Sequence, residues 1–171
     1  MDSEKDKALA TKINTFLKSY GAKQPPNNFD AAFIRASKIT SVACETDTSN
    51  AKVTYSLVIP PLYANNPIAK TTHGGAIATW FDMATSMAII ACKNTWEEGT
   101  GVTRNLNVTY FRPPVEGEEI TIESEVLQLT KRLATVKGVM RRVSDGAVLA
   151  ICQHDKYRPS VVAPGKPKPR L

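Results

Sequence analysis

The segment from residue 75 to residue 92 constrains the fold of this chain most. It consists mainly of Ala, Ile, Met, Trp, Phe and Thr, and its only charged residue is Asp82. A helix that is apolar on nearly all sides is buried rather than laid on a surface. A carboxylate in such a helix loses its hydration, which is costly without a partner. We therefore expect Asp82 either to act at the edge of a binding cleft or to make a buried structural hydrogen bond.

Strand-like segments surround this predicted helix on both sides. An amphipathic helix over residues 5–20 comes first, and the Asp145-Gly146 pair is a hairpin signal near the end. The segments with strand character are residues 34–45, 51–59, 102–111, 118–129, 134–143 and 147–157. One buried helix between two and four antiparallel strands predicts an α+β fold. Its antiparallel sheet wraps around the central helix, and the N-terminal helix is an addition to it.

Composition indicates one globular domain without a nucleic-acid-binding face. Apolar residues make up 42% of the 171 residues and charged residues 22%. This balance is that of ordinary globular proteins. The net charge is +6, but the last sixteen residues hold five basic residues and no acid, so the body is nearly neutral. We divide the chain into an N-terminal helix and loop (1–30), a main domain (31–158) and a mobile basic, proline-rich tail (159–171).

Cysteine usage favours a reducing compartment. Cys44, Cys92 and Cys152 are far apart and odd in number, which argues against a disulfide framework or a zinc site. The longest apolar run, residues 83–92, is far shorter than the roughly 18 residues of a membrane span. An acidic N-terminus is typical of neither a signal peptide nor a transit peptide. We expect a cytoplasmic protein with no membrane span, and leave a mitochondrial location open.

Several short motifs occur in a fixed order along the main domain. They are His73-Gly74-Gly75 with Asp82 nine residues after the histidine, Gly101-Val102-Thr103, Leu106-Asn107-Val108-Thr109-Tyr110, Phe111-Arg112-Pro113 and Gly117-Glu118. In this combination, residues 33–157 resemble the hotdog-fold acyl-CoA thioesterases of the PaaI-like group, relatives of 4-hydroxybenzoyl-CoA thioesterase. The resemblance implies a hotdog fold and hydrolysis of acyl-CoA to a free acid and CoA. Coenzyme A would then be part of the substrate, with no separate cofactor and no metal.

The residues themselves support this chemistry. The first N–H groups of a helix have no internal partner and lie at its positive end, so the Gly74 N–H is suited to the oxyanion of a thioester under attack. Asp82 is the predicted general base for water, or a nucleophile that forms an anhydride. The chain has only two histidines, and we expect no Ser-His-Asp or Cys-His arrangement. His73 is either an anchor of the loop or a catalytic acid.

The spacing of these groups predicts a shared site. Asp82 lies nine residues after His73. Nine residues correspond to about 13.5 Å along a helix and roughly 180° around it. Gly74 and Asp82 of one chain therefore cannot serve the same carbonyl. Two such helices in antiparallel arrangement across a two-fold axis solve the problem, so we expect a homodimer or a homotetramer built as a dimer of dimers.

Further residues are assigned only through the resemblance. Thr103 matches the Ser or Thr that orients the attacking water, with an ordinary strand residue as the alternative. Asn66, or else its neighbour Asn65, matches the asparagine that holds the thioester oxygen or orients the loop. Lys131 and Arg132 match a turn that contacts the CoA phosphates, and a solvated turn is the alternative for that pair.

Two other functions remain open at this point. The first is an enoyl-CoA hydratase or dehydratase on the same fold, which generally needs a histidine paired with an acid. The second is a non-catalytic acyl-CoA-binding protein. Release of a free thiol from a thioester, compared with loss of enoyl absorbance, separates the first from hydrolysis.

Overall fold

A computed structural model describes residues 4–23, 25, 29–44, 50–92, 96 and 99–159. The predicted tail beyond Pro159 and the last residue of the predicted strand 34–45 lie outside these residues. The helices are α1 (Glu4–Ala22), α2 (Phe29–Ala36) and α3 (Gly74–Ala91), with a short 3-10 turn at Pro61–Tyr63. The strands are β1 (Ser37–Cys44), β2 (Ala51–Val58), β3 (Val102–Tyr110), β4 (Glu119–Leu129), β5 (Leu133–Arg142) and β6 (Val148–Tyr157).

The strands form one antiparallel sheet in the order β1-β2-β4-β5-β6-β3. Their burial alternates along the chain, as in β4 and β5, because one face of the sheet packs on the core and the other meets solvent. β1 and β3 are the two edges of the sheet. No strand within the described part of the chain pairs with β3 on the side away from β6.

The sheet wraps around α3, as the α+β prediction required. Thirteen of its eighteen residues are buried, including Ile77, Trp80 and Phe81. Among the described residues α3 is the one helix with the length and hydropathy of a membrane span, but 72% of that window is buried inside the protein, as in a core helix. Trp80 packs edge-to-face on Tyr63 with ring centroids 5.2 Å apart, so its large side chain fills space in the core.

α1 is fastened to the outside of this core. Leu9, Ile13 and Leu17 recur every four residues and are all buried, because α1 lays this stripe against β1 and α3. The helix predicted over residues 5–20 is therefore present, with slightly wider bounds. It is an integral layer of the fold.

One local prediction is wrong. Strand structure was expected from residue 34, but the chain forms α2 up to Ala36 and only then enters β1 at Ser37. Phe33 explains the difference, because it is fully buried from a helical segment and packs on Tyr55 with ring centroids 5.7 Å apart. The apolar run at residues 33–34 gives no indication by itself of whether it packs from a helix or a strand.

Candidate active site

The N-terminus of α3 leaves one backbone donor free. His73 is the N-cap residue, and its Nδ1 accepts a hydrogen bond from the Gly75 N–H at 2.9 Å. The Ala76 and Ile77 N–H groups both donate to the His73 carbonyl. Within the described residues nothing accepts from the Gly74 N–H. His73 therefore anchors the helix start in this structure, and Gly74 presents the donor that an oxyanion needs.

The free edge strand packs directly over this donor. The Tyr110 hydroxyl, at the end of β3, donates to the Gly74 carbonyl at 3.0 Å. A Cβ at position 74 would lie 3.6 Å from the Tyr110 ring. The absence of a side chain at Gly74 therefore keeps the space beside the helix start open.

Asp82 lies two helical turns further along α3, and its side chain is 41% exposed. The Ser86 hydroxyl, one turn later on the same face, donates to Asp82 Oδ1 at 3.3 Å. The Thr103 hydroxyl on β3 lies 3.3 Å from each carboxylate oxygen. Asp82 is therefore neither fully buried nor free, and several hydroxyl groups orient it.

Two inward-facing residues of β6 complete the surroundings of the carboxylate. Lys156 Nζ lies 3.6 Å from Asp82 Oδ1 and donates to the Ser86 hydroxyl at 2.7 Å. His154 Nε2 lies 3.7 Å from Asp82 Oδ1. The Lys156 and His154 side chains are only 3% and 0% exposed, although lysine is almost never fully buried unless it is paired.

The two oxygens of Asp82 consequently have different environments. Oδ1 faces Ser86, Thr103, Lys156 and His154. Among the described residues, only Thr103 contacts Oδ2 within hydrogen-bonding distance. The charge of the carboxylate is thus held through Oδ1, and Oδ2 is the oxygen available to a substrate or a water molecule.

Strand pairing explains why these residues meet. Thr103 on β3 is directly opposite Lys156 on β6, and Leu106 is opposite His154. The register shifts between Thr103 and Asn105, so one extra residue lies between two inward-facing positions of β3. Without this bulge Thr103 and Leu106 would point to opposite faces of the sheet. With it, the Thr103 hydroxyl reaches Asp82 while Leu106 packs on the core.

Burial controls the charge of both β6 residues. The pKa of His154 is lowered to about 4, mainly by burial and then by the Lys156 cation, while Asp82 and Asp155 act in the opposite direction. His154 is therefore neutral at pH 7. Burial also lowers the pKa of Lys156, while Asp82 raises it by charge and hydrogen bonding. Lys156 thus depends on Asp82 for its charge, and Asp82 gains a nearby cation.

The histidine does not form a nucleophile–base–acid chain, although a hydroxyl, an imidazole and a carboxylate meet here. Thr103 Oγ1 and Asp82 both lie against His154 Nε2, the hydroxyl at 3.0 Å. Nδ1 instead contacts the Thr85 hydroxyl at 2.6 Å. In a catalytic triad the acid contacts the ring nitrogen opposite the nucleophile. These residues therefore form no triad, but His154 contacts both Asp82 and Thr103, which the sequence interpretation did not foresee.

A cleft of about 360 Å³ opens beside Asp82. Asp82, Ser86, Thr103 and Lys156 line its polar side. Its apolar surface comes from residues of both α1 and α3, namely Phe16, Tyr20, Met83 and Met87. A single cleft therefore combines a carboxylate with an apolar wall, as a site for an apolar group attached to a reactive centre requires.

The other predicted residues lie apart from the carboxylate. Asn66 is exposed in the loop before His73, and its Oδ1 accepts from the Ile68 and Ala69 N–H groups at 2.9 and 2.7 Å. These bonds shape the loop. The Asn65 N–H donates to the Thr71 carbonyl in the same loop.

Lys131 and Arg132 are exposed in the turn between β4 and β5. Leu133, the next residue, pairs with Tyr157, which in turn pairs with Val102. The turn therefore lies at the same end of the sheet as Thr103 and Lys156.

Comparisons with known proteins agree with this architecture. Residues 69–149 match the sequence model of the Thioesterase superfamily. Acyl-coenzyme A thioesterase 13 of Mus musculus is 33% identical over 87 residues, which are 51% of this chain. The matched segment spans 60% of the mouse protein.

Two solved structures share the whole arrangement. Thioesterase superfamily member 2 from Mus musculus has a TM-score of 0.70 at 23% identity, covering 93% of this chain and 100% of that chain. The E. coli PaaI protein from the phenylacetic acid degradation operon has a TM-score of 0.61 at 12% identity, covering 88% and 99%. This chain therefore has the hotdog fold. Its residues 69–149 are similar to the Thioesterase superfamily.

Proposed function

We propose that this protein hydrolyses acyl-CoA thioesters to a carboxylic acid and CoA. The observation that carries the proposal is the half-exposed Asp82, held at Oδ1 by donors and open to the cleft at Oδ2. A fixed carboxylate beside an apolar wall suits attack of water on an acyl group. The kinship with acyl-coenzyme A thioesterase 13 supports the CoA half of the substrate.

The reaction needs one water molecule and no redox partner. The water oxygen attacks the thioester carbonyl carbon while Asp82 Oδ2 takes its proton, and Thr103 orients the water. Negative charge gathers on the carbonyl oxygen, where the Gly74 N–H of a helix start stabilises it. The C–S bond then breaks, and the CoA thiolate leaves and takes up a proton. The alternative is direct attack by Oδ2 to form an anhydride, which water then hydrolyses.

The decisive test is release of free CoA thiol from a panel of acyl-CoA and phenylacetyl-CoA substrates. Steady turnover with at least one of them supports the proposal. Binding of acyl-CoA without thiol release would instead indicate the non-catalytic role.

A hydratase function finds less support in the geometry. His154 does lie next to Asp82, but its side chain is 0% exposed and the cleft-lining residues do not include it. The cleft beside Asp82 therefore exposes no imidazole from the described part of the same chain, and the Nδ1 of His73, at the start of α3, already accepts from the Gly75 N–H. Loss of enoyl absorbance from an enoyl-CoA, without thiol release, would overturn this argument.

The proposed site is shared between two copies of the chain. Asp82 contacts one end of the free edge strand, at Thr103, and Gly74 contacts the other end, at Tyr110. Antiparallel pairing of two β3 strands about an axis near Leu106 and Asn107 puts the Thr103 end of one copy beside the Tyr110 end of the other. Asp82 of one copy then faces the Gly74 N–H of the other, although the two are about 12 Å apart along one helix. We infer a homodimer, or a tetramer built from such dimers.

Mixed dimers test this arrangement. Tagged heterodimers of an Asp82→Asn copy with a Gly74→Val copy are expected to have about half the wild-type turnover per dimer. One site then combines an intact Gly74 with an intact Asp82, and the other site has lost both. Each homodimer of a single variant serves as the inactive control. Inactive heterodimers, or a fully active monomer in sedimentation, would contradict the shared site.

The CoA phosphates are assigned to the turn at the Asp82 end of the sheet. Lys131 and Arg132 are exposed there, and the Arg132 carbonyl accepts from the Arg158 N–H at 2.8 Å. Two cations on a turn can reach anionic groups at the mouth of the cleft without disturbing the core.

Removal of both cations is expected to weaken substrate binding alone. The Lys131→Ala, Arg132→Ala double variant should raise KM for acyl-CoA severalfold and leave kcat nearly unchanged, because these contacts are equal in ground and transition states. The charge-matched control is Lys38→Ala with Lys137→Ala, on exposed strand positions. A larger rise in KM on truncation after Pro159 would move the phosphate contacts to the tail.

A further inference from the structure

The cleft beside Asp82 has one wall that does not come from the hotdog core. Phe16 and Tyr20 of α1 line it, together with Met83 and Met87 of α3. Phe16 and Tyr20 are one helical turn apart on the same face. Their rings stack with centroids 6.2 Å apart and an interplanar angle of 10°. The rings are partly buried, so they form a surface of the cleft as well as covering the core.

This aromatic wall is fixed in position. Leu9, Ile13 and Leu17 lie on the same side of α1 as the two rings and are buried, and Ile13 is fully inaccessible. Stacking further restricts both rings. On α3, Met83 and Met87 line the same cleft as Asp82, and their four-residue spacing places them side by side along the helix. The apolar surface is therefore continuous from the carboxylate to α1.

Phe16, Tyr20, Met83 and Met87 supply apolar surface to the cleft, which Asp82 and Lys156 also line. An aliphatic chain would bury apolar surface there, which is favourable in proportion to the area removed from water. The cleft thus discriminates by the length of the acyl chain.

We propose, on the basis of the thioesterase function above, that α1 is the acyl-selectivity element of this enzyme. The acyl chain of the substrate lies against Phe16 and Tyr20 in the cleft beside Asp82. Each further methylene that the cleft buries raises kcat/KM about fourfold, by the transfer free energy of a CH₂ group. The rise ends at the length at which the chain reaches the aromatic wall.

Chain-length profiles test this proposal. For the wild type, kcat/KM is measured for straight-chain acyl-CoA from two to sixteen carbons. Phe16→Ala and Tyr20→Ala should move the optimum to longer chains, and Phe16→Trp should move it to shorter ones. Opposite shifts on enlarging and filling the cleft are not expected from a residue that only stabilises the fold. The control Lys18→Ala, on the exposed face of α1, should leave the profile unchanged.

Thermal melting separates misfolding from altered selectivity, and Phe16→Trp keeps the test valid if the alanine variants unfold. An unchanged optimum in a folded Phe16→Trp variant would overturn the role of α1. Lack of thiol release from every acyl-CoA by the wild type would overturn the thioesterase function itself.

Discussion

Replacing Asp82 with asparagine is expected to lower kcat by about 10²–10⁴-fold, the usual effect of removing a general base. The amide is nearly the same size as the carboxylate but cannot take a proton from water. It can still accept hydrogen bonds from Ser86 and Thr103, so fold and acyl-CoA affinity should change little. Thiol-release kinetics, a thermal melt and an acyl-CoA binding isotherm measure the three quantities.

The matched control is Asp155→Asn on the same region of β6. Asp155 accepts from the Thr135 hydroxyl at 2.8 Å on the outer face of the sheet, away from the cleft. The Asp155→Asn variant loses the same charge as Asp82→Asn, and its kcat should stay near that of the wild type. If Asp82→Asn retains more than about a tenth of wild-type kcat, Asp82 is neither base nor nucleophile. Thr103→Ala should cost less than Asp82→Asn, because a hydroxyl orients the water and transfers no proton.

Replacing Lys156 with methionine is expected to reduce kcat at least tenfold without lowering the melting temperature. The unbranched side chain of methionine fills a similar space, but the cation beside Asp82 Oδ1 and the donor to Ser86 are lost. Stability should hold because burial already disfavours the charged lysine, as its lowered pKa indicates. Apolar replacements of buried ions are often neutral or stabilising. The remaining Asp82 charge is 41% exposed and stays hydrated.

Lys137→Met is the control for this second variant, since it removes the same charge from an exposed position on β5. Its kcat and melting temperature should both match the wild type. A change of less than about twofold in kcat for Lys156→Met would show that the lysine has only a structural role. A lower melting temperature together with low activity would show that the ion pair mainly stabilises the fold.

The fold could be predicted because its signals are local. The period-two pattern of the strands, the turn residues between them and the apolar 75–92 segment are all readable along the chain, and a sheet that wraps around that helix buries it. The strands after α3 are found within a residue of the predicted bounds. α2 was missed because a short apolar run carries no period of its own.

The surroundings of Asp82 could be predicted only in part. Thr103 was assigned through the resemblance and lies at the carboxylate, whereas His154 and Lys156 were not foreseen. The sequence did contain a signal for both residues. In the predicted strand 147–157, His154 and Lys156 lie on the same inward face as Cys152, where apolar residues are expected. Polar residues at core positions of a strand need a partner on the element that covers them.

The sequence by itself determined the sheet wrapped around one buried helix, the backbone donor at Gly74 and the carboxylate two turns later, because backbone geometry and period set these positions. Only the tertiary structure decided what surrounds the carboxylate. Strand pairing, with a one-residue bulge in β3, brings Thr103 beside Lys156, and the docking of α1 puts Phe16 into the cleft that Asp82 lines. These contacts join segments far apart in the chain, and their register depends on the packing of the whole sheet on α3, which no local pattern encodes.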